Sequence, residues 1–286
     1  MRLDQEQESQ NIEDRRRMRP SRGVVGGGIG TIAVLLLALF FGVDPSILLQ
    51  GVQETQIPET YSPQNQPGGQ DDEMRQFVAR VLGSTERTWT EIFAAAGQTY
   101  EKPTLVLFSG AVESACGFAQ AASGPFYCGA DHKLYIDLSF YRELRERFAA
   151  PGDFAQAYVI AHEIGHHVQN LLGIMNKVQG LQRRGGSQSQ ANALSVRLEL
   201  QADCLAGIWA NYAHRERNIL EQGDVEEGLN AAAQIGDDRM QKRAQGYVVP
   251  EGFTHGSAEQ RVRWFRRGIE SGNLKQCDTF SAGGVS

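Results

Sequence analysis

The sequence predicts an α+β domain, rich in helix and with a small sheet, preceded by one transmembrane helix. Three observations predict it: one uncharged run of twenty residues near the amino terminus, long stretches after residue 71 with apolar residues at helical spacing, and two short apolar runs that read as strands. The 286 residues are enough for a core that needs no staples. Lys and Arg total 28 against 34 Asp and Glu, a net charge of −6, which argues against a chain built to bind nucleic acid. With 41% hydrophobic residues and four cysteines, the chain is neither disordered overall nor a disulfide-dense mini-domain.

The uncharged run is Val24 to Val43. Twenty residues at about 1.5 Å each make roughly 30 Å of helix, the thickness of a bilayer's hydrocarbon core. Arg2, Arg15, Arg16, Arg17, Arg19 and Arg22 precede it, and no Lys or Arg follows until Arg75. The positive-inside bias therefore places residues 1–23 in the cytoplasm as a basic segment, 24–43 in the lipid bilayer as a single-pass anchor, and the rest outside, in a periplasmic or extracellular position. A cleavable signal peptide would have a shorter apolar core and a small-residue cleavage site, which is not evident after Phe41. Residues 44–72, rich in Gln, Pro, Gly and Thr, read as a flexible tether. Removing residues 1–23 leaves 22 basic against 29 acidic residues, so the outer part is not drawn to anionic headgroups.

The outer domain, 73–286, opens with an amphipathic helix carrying Phe77, Val78, Val81, Leu82, Trp89, Ile92 and Phe93. Thr104 to Phe108 and Lys133 to Leu138 are the strand candidates, with a turn or hairpin over Cys116 to Ala130. A helix from Leu138 to Phe148 ends before Pro151-Gly152. Asp153 then offers an N-cap, with Gln156 at the capping-box position, to a helix ending near Leu172 at Gly173. Asn176 to Gln190 reads as a polar connection, either a loop or a lid. Further helices are expected over Ser189 to Arg217 and Asp224 to Gln245, and from a box-like Ser257 (SAEQ) to between Gly268 and Gly272.

The helix opened by Asp153 contains His162-Glu163-Ile164-Gly165-His166. Positions i and i+4 lie about 40° apart around a helix and about 6 Å along it, so both imidazoles share one space. Two neutral imidazoles supply half of a tetrahedral Zn2+ site, and Glu163 is placed to take a proton from a water that the metal activates. The pattern also occurs by chance on helices with surface histidines. Here Ala155, Tyr158, Val159, Val168, Leu171 and Leu172 mark the helix as buried, and buried histidines beside a buried glutamate are costly without a purpose. His167, on another face, reads as a polar neighbour.

Zinc hydrolases use three protein ligands and one open position. Glu199 and Asp203, i and i+4 on the next long helix, make Glu199 the candidate third ligand and Asp203 the acceptor that fixes a ligand histidine's tautomer. Swapped roles, or His214 or His255 as third ligand, remain open from the residues alone.

HEIGHHVQN with ELQADC resembles the bacterial putative neutral zinc metallopeptidase family, a zincin-type group, and so do ACGFA, GPFYCGAD, YIDLSF, IGDD and HGSAEQR. The resemblance covers the outer domain and the anchor. It implies a zincin-like fold and a peptidase acting on a peptide or protein substrate. The E-x-x-A-D arrangement is similar to that of gluzincins, where the Glu binds zinc and the Asp supports a histidine. The resemblance also points to Lys133 to Leu138 as an edge strand that pairs with substrate backbone, although a core strand fits the residues equally.

His255 is a candidate transition-state stabiliser or else a structural histidine. Asp237-Asp238 could hold a ligand or a basic side chain, helix-surface charge being the default. Outside the cytoplasm, four cysteines suggest two disulfides, with Cys116–Cys128 closing a hairpin-like loop and Cys204–Cys277 tying down the tail. Cys204 as a buried free thiol is the alternative. The sequence thus reads as a membrane-anchored zinc endopeptidase. A zinc-containing scaffold that has kept a zincin fold is the competing class, and a hydrolase of non-peptide amides the third.

Overall fold

A computed structural model describes residues 1–17, 70–121 and 124–281. The expected anchor over 24–43, and the tether as far as residue 69, lie outside the described residues. Among the described residues, no helix is long and apolar enough to cross a membrane.

The fold is the expected helix-rich α+β arrangement. Its main sheet contains β1 (Ile12–Asp14), β2 (Thr104–Phe108), β5 (Phe126–Cys128) and β6 (Lys133–Asp137), in the order β1-β2-β6-β5. β1–β2 and β2–β6 pair in parallel, and β5 runs antiparallel to β6. The alternation in Lys133 to Leu138 does produce a strand, but an inner one between β2 and β5. The expectation that it forms the substrate-pairing edge is therefore corrected: the edge strands are β1 and β5. β3 (Ala111–Ser114) and β4 (Gly117–Gln120) form a separate hairpin.

The helices are α1 (Gln70–Ala95), α2 (Ser139–Glu146), α3 (Asp153–Leu171), α4 (Ile174–Arg183), α5 (Gln188–Arg217), α6 (Asp224–Gln234), α7 (Asp237–Gln245) and α8 (Ala258–Ser271). α3 runs through the core, packed on α1, α5, α6 and β5. Phe154, Tyr158, Ile160, Ile164 and Val168 are buried along it, and each such side chain contributes about 1.5–3 kcal/mol of transfer free energy. Full capping boxes open α5 (Ser187, Gln190) and α8 (Ser257, Gln260). The box expected at Asp153 does not form. Gly152 occupies the cap, and the Asp153 carboxylate instead accepts from the Met1 amino group at 2.7 Å.

Three further expectations change. The connection over Asn176 to Gln190 is largely helix α4, whose Val178 is buried. The stretch from Asp224 to Gln245 breaks at Ile235–Gly236 into α6 and α7, because Asp237 there turns to hold the 254–256 segment. Residues 1–17, expected as a segment apart from the domain, belong to the same compact unit as the part of the chain that begins at residue 70.

One close approach sets the geometry of the site. Gly165, between the two motif histidines, faces α5 so closely that an added Cβ would sit 2.9 Å from the Ala202 carbonyl oxygen and 3.0 Å from its Cα. Any side chain there would force α3 and α5 apart, and with them His162 from Glu199 and Asp203.

Candidate metal centre

α3 supplies His162, Glu163 and His166, and α5 supplies Glu199 and Asp203. His162 Nε2 lies 3.1 Å from Glu199 Oε2, and His166 Nε2 lies 3.4 Å from Glu199 Oε1. One ligand atom from each of these three residues falls within 4.8 Å of the others. Zinc–nitrogen bonds of about 2.0–2.1 Å put tetrahedral ligand atoms roughly 3.3 Å apart, so the spacing fits a zinc ion.

Hydrogen bonds assign the tautomers. His162 Nδ1–H donates to Asp203 Oδ1 at 2.8 Å, an acceptor-only carboxylate. His166 Nδ1–H donates to Gln169 Oε1 at 2.9 Å. The Gln169 amide is itself oriented, its Nε2 donating to the Leu198 carbonyl and to Gln201 Oε1. Both Nε2 atoms are thereby turned to Glu199, where a shared proton or a metal cation can lie between imidazole and carboxylate.

The electrostatics agree. Burial alone would push the His162 pKa down, but Asp203 and Glu199 outweigh it and hold the imidazole up at about 9. His166 is raised in the same way by Glu199. Burial pushes Glu199 up, yet the two histidines hold its carboxyl well below the usual range. Glu163, 8% exposed, is raised by burial and has no hydrogen-bond or ion-pair partner among the described residues. Its carboxyl is free to exchange a proton.

Asp203 is fully buried and gathers three partners. Arg261 grips it through Nε to Oδ2 and Nη2 to Oδ1, both at 2.9 Å, and the Tyr158 hydroxyl donates to Oδ1 beside His162. Burial pushes this carboxyl up, but Arg261 and His162 prevail and keep it ionised below its ordinary value. Sequence reasoning passed over Arg261 and read Tyr158 only as a buried flank of the motif. A signal for Arg261 did exist, as a charged residue in register with Trp264, Phe265 and Gly268 on the buried stripe of α8.

His255 lies in the cleft rather than in the ligand cluster. Its Nδ1 donates to Asp237 Oδ1 at 3.1 Å, while the backbone N–H groups of Thr254, His255 and Gly256 all donate to Asp237 Oδ2. Asp237 raises the imidazole's pKa. Asp237 is thus a buried anchor for His255 rather than helix-surface charge, and Asp238 caps the Ala258 N–H. His214 is exposed at the end of α5, accepting from the Leu220 N–H. His167 is fully buried, its pKa pushed down to about 4 by burial; Nε2–H donates to the Glu101 carbonyl, and Nδ1 accepts from the Tyr127 hydroxyl at 2.9 Å. Asn170 Nδ2 also donates to Tyr127. His167 and Asn170 therefore pin edge strand β5 to the helix that carries the two histidines.

β5, α2 and α4 border a cleft of about 640 Å3 whose floor includes His162, Glu163, His166 and Glu199. Phe126, Phe140, Phe148 and Met175 give it apolar walls. Disulfides Cys116–Cys128 and Cys204–Cys277 are both formed, so Cys204 is not a free thiol; the first fastens β5 and the second ties the tail to α5 beside Asp203.

Over residues 1–280 the chain matches the family described as "Putative neutral zinc metallopeptidase". It is similar to the uncharacterized protein YpfJ of Escherichia coli (strain K12), at 47% identity over 98% of this chain and 99% of that protein. It is also similar to the uncharacterized protein Rv2575 of Mycobacterium tuberculosis (strain ATCC 25618 / H37Rv), at 39% identity over 86% of this chain and 85% of that protein. No solved structure matches.

Proposed function

Because the chain belongs to the putative neutral zinc metallopeptidase family, we propose that it is a zinc-dependent endopeptidase attached to a membrane through residues 24–43. One observation carries the reading: two histidine Nε2 atoms and the Glu199 carboxylate converge beside a partnerless Glu163 on the floor of an open cleft. Zinc held by His162, His166 and Glu199 would polarise a substrate carbonyl and lower the pKa of water toward 7.

The protein's own groups do the rest. Glu163 takes the proton from the attacking water and passes it to the leaving amine nitrogen, a double task suited to a carboxyl raised by burial. Asp203, kept ionised by Arg261, holds the His162 ring in the required tautomer. His255, steadied by Asp237, supplies a cationic N–H as charge develops on the carbonyl oxygen. An extended polypeptide lies along β5 by main-chain pairing, with bulky side chains against Phe126, Phe140 and Met175.

The test uses the purified full chain, its zinc content, and its cleavage of unfolded casein beside the Glu163→Gln variant. The expected result is zinc in both proteins, with cleavage at least 100-fold slower in the variant. Zinc in both with no cleavage by either would favour a non-hydrolytic scaffold. No zinc in either would defeat the ligand assignment.

A further inference from the structure

Residues 1–17 precede the apolar run, whereas the metal centre follows it, yet both belong to one folded unit. The arm enters the sheet as β1, with Ile12, Glu13 and Asp14 in parallel register with Leu105, Val106 and Leu107 of β2. Backbone bonds extend the pairing on both sides, from Leu105 N to Asn11 O and from Arg15 N to Leu107 O. Leu3 is buried in the main core. Glu6 and Arg217 form a buried ion pair at 2.6 Å, and Ser9 and Asn11 both donate to Glu86 on α1.

The far side of the contact is shaped for the arm. Gly83 stands inside α1, where glycine costs about 1 kcal/mol relative to alanine. An added Cβ would lie 2.0 Å from the Gln7 carbonyl oxygen. That helix position is kept bare so that the arm's backbone can lie on it. Of the six arginines that suggested a cytoplasmic amino terminus, Arg15 pairs with Glu13 at 2.8 Å and Arg16 with Asp14 at 2.6 Å.

A strand cannot pair with its sheet across a bilayer. An odd number of crossings between residues 17 and 70 would separate β1 from β2, and two crossings need about 40 apolar residues where the run has twenty. We propose that residues 1–17 stand on the same side of the membrane as the metal centre. The two disulfides place that side in an oxidising compartment, outside the cytoplasm. The proposal rests on the membrane attachment read above and replaces its inside-to-outside topology.

All four native cysteines are paired, so one introduced cysteine is a unique reporter. Glu8→Cys in the arm and Glu146→Cys on α2, both at exposed positions, are treated with a membrane-impermeant maleimide on intact spheroplasts and after permeabilisation. Both should react in intact spheroplasts. Reaction of Glu146→Cys alone, with Glu8→Cys protected until permeabilisation, would overturn the proposal. Protection of both would keep the shared side and overturn its outward assignment. A protease site inserted at residue 60 tests the arm independently: after cleavage in mild detergent, the fragment bearing residues 1–17 should co-elute with 70–286, and its release would also overturn the proposal. Recovery of the uncut chain in the soluble fraction would defeat the membrane attachment, leaving the cleavage experiment to decide on the arm.

Discussion

Two buried arginine–carboxylate pairs stand in different parts of this molecule and have different consequences. Arg261 and Asp203 meet through two bonds of 2.9 Å, and the carboxylate passes its influence to His162 and so to the metal centre. Arg217 and Glu6 meet at 2.6 Å, and the guanidinium continues to Ser84 and Thr88 on α1. The first chain of bonds ends on a histidine whose other ring nitrogen faces Glu199. The second ends on the Ser84 and Thr88 hydroxyls, neither of which lines the cleft. A buried charge pair therefore says little about function until its network has been followed to the end.

Breaking each pair should separate these roles, and the largest effect is expected at Arg261. Arg261→Ala leaves the buried Asp203 without its guanidinium partner, which costs about 3–5 kcal/mol, and loosens His162, lowering zinc affinity roughly 10- to 100-fold. Thermal unfolding and a competitive zinc titration would report both losses; an unchanged zinc affinity would remove Arg261 from the site. Glu6→Ala should cost a similar 3–5 kcal/mol by stranding Arg217, while zinc affinity stays at the wild-type value. A fall in zinc affinity there would show that the arm and the centre are one network.

His255→Gln should reduce kcat by about 100-fold or more with zinc content unchanged. The raised imidazole is charged below its pKa and loses that charge as pH rises through it, so wild-type kcat should fall on the alkaline side. The variant should lack that limb of the pH–rate profile, and a profile identical to wild type would exclude His255. The smallest effect is expected from Tyr127→Phe, which removes one hydroxyl between β5 and His167 and costs about 1 kcal/mol. Its mark should be a higher KM for casein at nearly constant kcat; a change in kcat alone would contradict β5 as the substrate's docking strand.

The candidate metal centre was legible because helical periodicity alone brings His162 to His166 and Glu199 to Asp203. The apolar flanks of both helices then say that these groups are buried. Arg261 and Tyr158 were not legible in the same way, since their partner Asp203 lies 58 and 45 residues away along the chain and only packing supplies it. β5 is three residues long, too short for an alternation to show, so the edge role was given to its longer neighbour β6. The arm was hidden for a different reason. Its strand is Ile-Glu-Asp, with one apolar residue, and the hydropathy of the run that follows it dominates any reading of the first forty residues.

The central claim is that α3 and α5 build a zinc site that serves hydrolysis. Zinc per chain, measured on the dialysed full-length protein and on Glu199→Ala, tests it most directly. The expected result is about one zinc in the wild type and a small fraction of that in the variant, both proteins retaining the same helix content. Undiminished zinc in Glu199→Ala, or none in the wild type, would contradict the account.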